Sequence, residues 1–130
     1  DKACPMARVL AADYAFCSGD GARAKGLLEE LQSEESSGAS ETWTWRERQY
    51  AKAWGQWCLS GNPVGCYEAL LEVVDKHPAD LFAVKRGHIM GLILGDGAKI
   101  LEIVERAGAA APTQPPPKFL HGMWAFGLEQ

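Results

Sequence analysis

The sequence lacks a long apolar run, a cluster of basic residues and cysteines at metal-binding spacing. The longest apolar candidate, HIMGLILG at 88–95, has eight residues, whereas a membrane-spanning helix needs about 18 or more. The 13 Lys and Arg residues are dispersed and the net charge is −4, which argues against a nucleic-acid-binding surface. No CxxC motif and no zinc-like Cys/His spacing occurs. We therefore expect no metal, no cofactor, no nucleic-acid partner and no membrane-spanning segment.

The four cysteines leave two interpretations open. Buried free thiols that pack as small hydrophobic side chains are favoured for Cys4, Cys17, Cys58 and Cys66. A disulfide between Cys58 and Cys66 is the alternative, because these two residues flank a predicted turn between helices.

Strand patterns are scarce as well, because alternation of polar and apolar residues with period two is hard to find. Helical periodicity instead predicts helices over 5–17, 21–32, 44–60, 63–76, 80–94, 97–107 and 117–129. Asp20 and Asp80 are suited to cap the helices that follow them. Pro63 fits the first turn of a helix. The predicted fold class is all-α.

Glycine and proline recur at a fixed distance along the chain. Gly61 and Gly95 are 34 residues apart, and so are Pro78 and Pro112. In both cases the glycine follows one apolar helix and the proline follows the next. A helix–turn–helix period of about 34 residues is typical of tetratricopeptide repeats. We therefore predict a tetratricopeptide-like α-solenoid of about three helical hairpins plus one unpaired C-terminal helix.

The predicted organisation is one helical-repeat domain over residues 1–130. Its parts are hairpins at about 5–32, 44–78 and 80–110, a loop insertion at 33–43 and an extra helix at 117–129. The last helix is apolar and offers no polar cap, although repeats bury their faces only against neighbours. We expect that the chain is a fragment of a longer solenoid or that a partner covers this end.

Several short motifs resemble those of one repeat family. They are Arg46-Glu47 at a helix start, Gly61-Asn62 at a turn, His77-Pro78-Ala79-Asp80, then Ala83-Val84-Lys85 with His88, and finally Gly122, Trp124, Phe126, Gly127 and Leu128. In this pattern the chain is similar to the tetratricopeptide repeat protein 38 family over 44–95 and 118–129, about half its length. The resemblance implies a helical-repeat fold and a binding role, and it carries no established enzymatic activity.

Two positions depart from the family pattern. Tyr50 stands where the family often has a histidine, and Ile89 stands where an acidic residue tends to follow the second histidine. A polar site built from those groups is therefore not carried over to this chain.

The groove of a repeat protein is formed by the first helices of successive hairpins. The 34-residue register predicts these partner-binding residues: Arg48, Phe82, Lys85, Ile89, Leu92, Phe119, Met123 and Phe126. The set is mostly apolar, with two cations, which suits an amphipathic segment of a protein partner. Neighbouring repeats that cover this face are the alternative.

The sequence is compatible with three functions. The first is a protein–protein interaction module or scaffold without enzymatic activity, and the second is an accessory subunit of a larger complex. The third is part of an enzyme that uses His88, although no carboxylate or cysteine stands three or four residues from it.

Four of the five tryptophans lie within residues 43–57. The helical register places Trp54 and Trp57, together with Tyr50, in the core. Trp43 and Trp45 lie at the start of the predicted helix, before the positions that the register assigns to the core. We expect one of them to pack over the helix start and the other to be open to a partner.

Overall fold

The computed structural model describes residues 4–109 and 118–129 and contains no strand in these ranges. The helices are α1 (Pro5–Cys17), α2 (Gly21–Ser36), α3 (Trp45–Trp54), α4 (Pro63–Lys76), α5 (Leu81–Leu94), α6 (Gly97–Ala109) and α7 (Lys118–Glu129), and a π-helix, Gly55–Leu59, continues α3. The all-α prediction is confirmed. Pro112, which marks the predicted repeat, lies outside the described residues. None of the described helices has the length and apolarity needed to cross a membrane.

Contacts divide the chain into two compact units. Unit 1 is Asp1–Cys66 and unit 2 is Tyr67–Gln130. In unit 1, α1 packs against α2 and α3, and in unit 2, α6 packs against α5 and α7. The predicted hairpin at 44–78 extends across the boundary, so it stays a prediction, as does the single domain.

Side-chain caps occur at the starts of five helices, α2 to α6. The Asp20 carboxylate accepts a hydrogen bond from the backbone N–H of Arg23 at 3.1 Å, and that of Asp80 accepts one from Ala83 at 3.3 Å. Both predicted caps are therefore formed. At α3, Thr44 makes a reciprocal capping box with Glu47, which satisfies backbone N–H groups that have no partner inside the helix.

The two glycines that mark the repeat share one backbone conformation. Gly61 has a φ of 60° and Gly95 a φ of 65°. Residues with a Cβ rarely adopt this left-handed backbone conformation. It is common at the residue that ends a helix, where glycine is favoured. Gly95 ends α5 in this way, and Gly61 follows the π-helix that continues α3 with a similar φ.

The predicted loop at 33–43 begins too early, because α2 continues to Ser36. The Glu34 carboxylate accepts two hydrogen bonds from the guanidinium of Arg8, at 2.9 and 2.8 Å. The Ser36 hydroxyl donates to the carbonyl of Gln32 within the helix at 2.9 Å. A tertiary ion pair thus stabilises one more helical turn in a sequence rich in serine.

Unit 1 has an aromatic interior. Tyr50 and Trp54 are fully buried, and the Trp54 indole N–H donates to the Asp13 carboxylate at 3.2 Å. Trp57 is half-buried and meets Phe16 edge-on with ring centroids 4.8 Å apart. The expected burial is confirmed for Tyr50 and Trp54 and reached in part by Trp57.

The two tryptophans at the start of α3 differ in exposure. Trp43 is 7% exposed, with the Arg8 guanidinium 6.0 Å from its ring centroid. Trp45 is half-buried. Trp43 is therefore the ring that packs near the helix start.

Unit 2 is held by close helix packing. Two glycines of α5 face α6: a Cβ on Gly87 would collide with Ile103, and a Cβ on Gly91 would lie 3.0 Å from the backbone nitrogen of Ile100. The Tyr67 hydroxyl lies 2.9 Å from the Lys99 carbonyl oxygen. These contacts make α6 the central helix of the unit.

All four cysteines are free thiols. Cys66 is buried and Cys58 is half-buried, and burial raises the pKa of the Cys58 thiol to about 12. The disulfide alternative is thus not formed. The expected burial is wrong for Cys4 and Cys17, which are exposed because they lie at the two ends of α1.

Candidate functional site

The predicted groove residues fall in both units. Arg48 belongs to α3 of unit 1, and the other seven belong to unit 2. Those seven occupy two helices, α5 with Phe82, Lys85, Ile89 and Leu92, and α7 with Phe119, Met123 and Phe126.

The side chain of His88, on α5, contacts α7 within unit 2. Its imidazole is 5.4 Å from the Phe126 ring, centroid to centroid, and it is hydrogen-bonded to the backbone of Met123. Residues three and four apart share one side of a helix. Lys85 and Leu92 therefore flank His88 on α5, and Phe119 shares a line with Phe126 on α7.

We call the surface made by Lys85, His88, Leu92, Phe119 and Phe126 the α5–α7 face. Phe119 is 47% exposed, Phe126 39% and Leu92 41%. Lys85 is exposed, whereas His88 is buried and forms the floor. Single exposed apolar residues are ordinary, whereas a contiguous apolar patch is typical of an interaction site.

Three predicted groove residues are less accessible than a groove requires. Met123 is only 8% exposed, because the side of α7 that carries Leu120, Met123 and Gly127 faces inward. Ile89 and Phe82 are half-buried, and the Arg86 guanidinium lies 5.5 Å from the Phe82 ring centroid. The accessible part of the surface is therefore narrower than the predicted set.

The environment of His88 is apolar. Burial lowers the pKa of this imidazole, and its hydrogen bond to the Met123 backbone opposes that shift. Nε2 is buried and has no hydrogen-bond partner among the described residues. A lowered pKa keeps the ring neutral at pH 7, which suits an uncharged floor under apolar side chains.

A metal-binding role has no cluster to support it in the ranges that the structure covers. No group of three or more His, Cys, Asp or Glu side chains is placed there to hold an ion. The hypothesis that His88 serves an enzyme stays a prediction.

Arg48 lines a cleft of about 210 Å³ in unit 1, and its guanidinium donates to the Ser40 carbonyl at 3.1 Å. The lining is mostly polar and comprises Gln32, Glu35, Arg48, Gln49, Ala51, Lys52, Gly55, Gln56 and Ser60. The π-helix supplies two of these residues, and such wide turns are frequent at functional sites. Periodicity did not predict the cleft, because a π-helix has no pattern that separates it from an α-helix.

A second cleft of unit 1, about 280 Å³, lies beside the Arg8–Glu34 pair. Glu34 raises the pKa of the Arg8 guanidinium, whose charge is already balanced by that carboxylate. The partners are 26 residues apart in sequence, so no local signal could have paired them.

No protein-family model matches this chain, and no curated protein or solved structure matches it significantly. The resemblance to the tetratricopeptide repeat protein 38 family therefore stays a prediction.

Proposed function

We propose that this protein is a protein-interaction module in which the α5–α7 face binds an amphipathic segment of a protein partner. The observation that carries the proposal is the exposure of two aligned phenyl rings, 47% for Phe119 and 39% for Phe126. Both belong to α7, and the contact between Phe126 and His88 places this line of α7 beside α5.

Burial of such rings is a favourable source of binding energy. Removing apolar side chains from water is favourable by about 25 cal/mol for each Å², from which the entropic cost of association is deducted. Aromatic anchors in particular contribute much of the energy of protein interfaces. Leu92, 41% exposed on the neighbouring helix, adds an aliphatic contact for the same segment.

The repeat pattern supports the same function. We propose that the helical hairpins are tetratricopeptide-like and belong to an α-solenoid, and that the protein acts as a scaffold. The support is the 34-residue glycine spacing, the shared left-handed conformation of Gly61 and Gly95, and the family resemblance. Helical repeats bind partners through extended surfaces made by successive helices.

The test is a comparison of proteins captured from the native source by the tagged chain and by two variants. Phe119→Ala with Leu92→Ala removes two accessible side chains of the α5–α7 face. Tyr14→Ala removes an exposed aromatic ring from unit 1, where Tyr14 is 74% exposed. We expect the partner to be lost with the double variant and retained with Tyr14→Ala, both variants showing wild-type circular dichroism.

Unchanged recovery with the folded double variant would show that the α5–α7 face is not the binding surface. The same experiment addresses the accessory-subunit alternative. A permanent complex is expected to survive washing at high salt with fixed stoichiometry, whereas a regulated interaction dissociates.

A further inference from the structure

We infer that the segment bound by the α5–α7 face is an acidic amphipathic helix. The inference rests on the proposed function and specifies the chemistry of the partner. Three properties of unit 2 support it, namely the charge of the two helices, two exposed lysines without an ion-pair partner among the described residues, and the spacing of the exposed rings.

The charge of α5 and α7 is opposite to that of the chain. The whole chain carries −4, but residues 81–94 and 118–129 contain three basic side chains and one acidic side chain. The bases are Lys85, Arg86 and Lys118, and the acid is Glu129 at the last position of α7. A basic surface on an acidic protein favours a partner segment of negative charge.

Several cations elsewhere in the protein are paired with acids of the protein. Arg8 is bound to Glu34 at 2.8 Å, and Arg106 to Glu102 at 2.6 Å. Lys85 and Lys118 are exposed and have no ion-pair partner within the described part of the chain. Their charges are therefore available to carboxylates that a partner supplies.

The spacing of the rings fits a helix. Phe119 and Phe126 are seven residues apart on α7, which is about two turns or 10 Å along the axis. An amphipathic helix lying along α7 presents apolar side chains at i, i+3 or i+4, and i+7 over the same distance. Acidic residues beside that stripe would come within reach of Lys85 on α5 and Lys118 at the start of α7.

An anionic membrane surface also attracts apolar and basic groups. Membrane attachment through basic residues generally uses a cluster of about four to eight of them. The α5–α7 face contains one exposed lysine, Lys85, with Lys118 next to Phe119 at the start of α7, and the chain as a whole is acidic. The charge pattern therefore favours a peptide, and vesicle binding becomes an outcome of the test.

The experiment is a selection of randomised helical peptides, displayed on phage, against the purified 130-residue chain. We expect the recovered peptides to combine apolar residues at helical spacing with an excess of Asp and Glu. Fluorescence anisotropy then measures their affinity for the wild type and for Lys85→Glu with Lys118→Glu. We expect a loss of about tenfold or more for that variant, and weaker wild-type binding at high salt.

Lys25→Glu is the matched control, because it reverses the charge of an exposed lysine of unit 1. Its affinity is expected to equal that of the wild type. The double variant Phe119→Ala with Leu92→Ala distinguishes the two proposals. Peptides whose binding requires these side chains but that show no excess of Asp and Glu would overturn the acidic partner. The proposed function would then still stand.

Two further outcomes are decisive. Failure to recover any peptide whose binding depends on Phe119 and Leu92 would overturn both the acidic partner and the proposed function. Binding to phosphatidylserine vesicles that Phe119→Ala with Leu92→Ala abolishes would replace the protein partner by a membrane surface. Circular dichroism of each variant confirms that folding is retained.

Discussion

The segment around α3 in unit 1 and the helix α7 in unit 2 place their large aromatic side chains differently. In unit 1, Tyr50 and Trp54 are fully buried and Trp43 is 7% exposed. In unit 2, Phe119 and Phe126 of α7 remain 47% and 39% exposed. Buried rings stabilise the unit that contains them, whereas exposed rings leave that energy available for a partner. The contrast concerns these two segments and not every ring of each unit, because Tyr14 of unit 1 is 74% exposed and Tyr67 of unit 2 is buried.

The two units also differ in how their helices pack in the interior. Unit 1 buries polar groups that are hydrogen-bonded, such as Asp13, which accepts from the Trp54 indole. Unit 2 relies on close approach of α5 to α6 at Gly87 and Gly91. Small residues at a helix crossing let the two backbones approach closely, and Gly87 and Gly91 take this role against Ile103 and Ile100 of α6.

Trp54→Ala gives the largest expected effect. Because Trp54 is fully buried, its removal is expected to lower the free energy of unfolding by about 3–5 kcal/mol. Chemical denaturation measures the loss, and hydrogen exchange assigns it to amides of unit 1. Trp54→Phe is the control, because it keeps most of the ring and removes the hydrogen bond to Asp13, so its cost is expected to be smaller. A cost below about 1 kcal/mol for Trp54→Ala would show that the aromatic core of unit 1 is not structural.

Gly91→Ala tests the close packing of unit 2. The added Cβ would lie 3.0 Å from the Ile100 nitrogen and 3.2 Å from its Cα, and backbone atoms cannot rotate away. Overpacking costs about 1–3 kcal/mol, and the better helix propensity of alanine offsets about 1 kcal/mol of it. We expect a net loss of about 1 kcal/mol, measured by denaturation with hydrogen exchange in unit 2.

Gly26→Ala is the matched control for that substitution. A Cβ on Gly26 of α2 would meet nothing within 4 Å, so only the helix propensity changes. We expect a gain of about 0.5–1 kcal/mol. Equal gains at Gly26 and Gly91 would show that α5 and α6 do not depend on a glycine at their crossing.

Local chemistry made most of the helix bounds predictable from the sequence. Asp20 and Asp80 cap their helices as expected, and Gly95 ends α5 in the left-handed region. The end of α2 was missed because it depends on the pair between Arg8 and Glu34, which no local pattern reveals. Interactions distant in sequence are the part of the fold that single-sequence reasoning does not reach.

The exposure of the predicted groove residues can be compared with the structure, whereas their role in partner binding stays a prediction. Helical register placed Lys85, Leu92, Phe119 and Phe126 on one surface, and the structure leaves all four accessible. Met123 was misplaced because its exposure depends on which side of α7 faces inward. Gly127 marks that side, since a Cβ there would lie 3.3 Å from the Cα of Leu101 on α6. The register gives the line of residues along a helix, and packing decides its orientation.

Substitution of His88 has the smallest expected effect. This buried residue contacts Phe126 of the α5–α7 face. Burial lowers the pKa of this imidazole below the value of 6.5 for an exposed histidine. The unfolded chain therefore takes up the proton at a higher pH than the folded chain does. The stability due to neutral His88 is complete above about pH 6.5 and declines as the pH falls toward the lowered pKa.

His88→Gln removes this contribution, so its unfolding free energy should fall less than that of the wild type between about pH 7 and about pH 5. The difference is expected to be below about 1 kcal/mol. His121→Gln is the control, because it makes the same substitution at an exposed position of α7. Denaturation at several pH values measures all three proteins. Identical slopes for wild type and His88→Gln would mean that the imidazole is hydrated, and the floor of the α5–α7 face would then be open to water rather than sealed by Phe126.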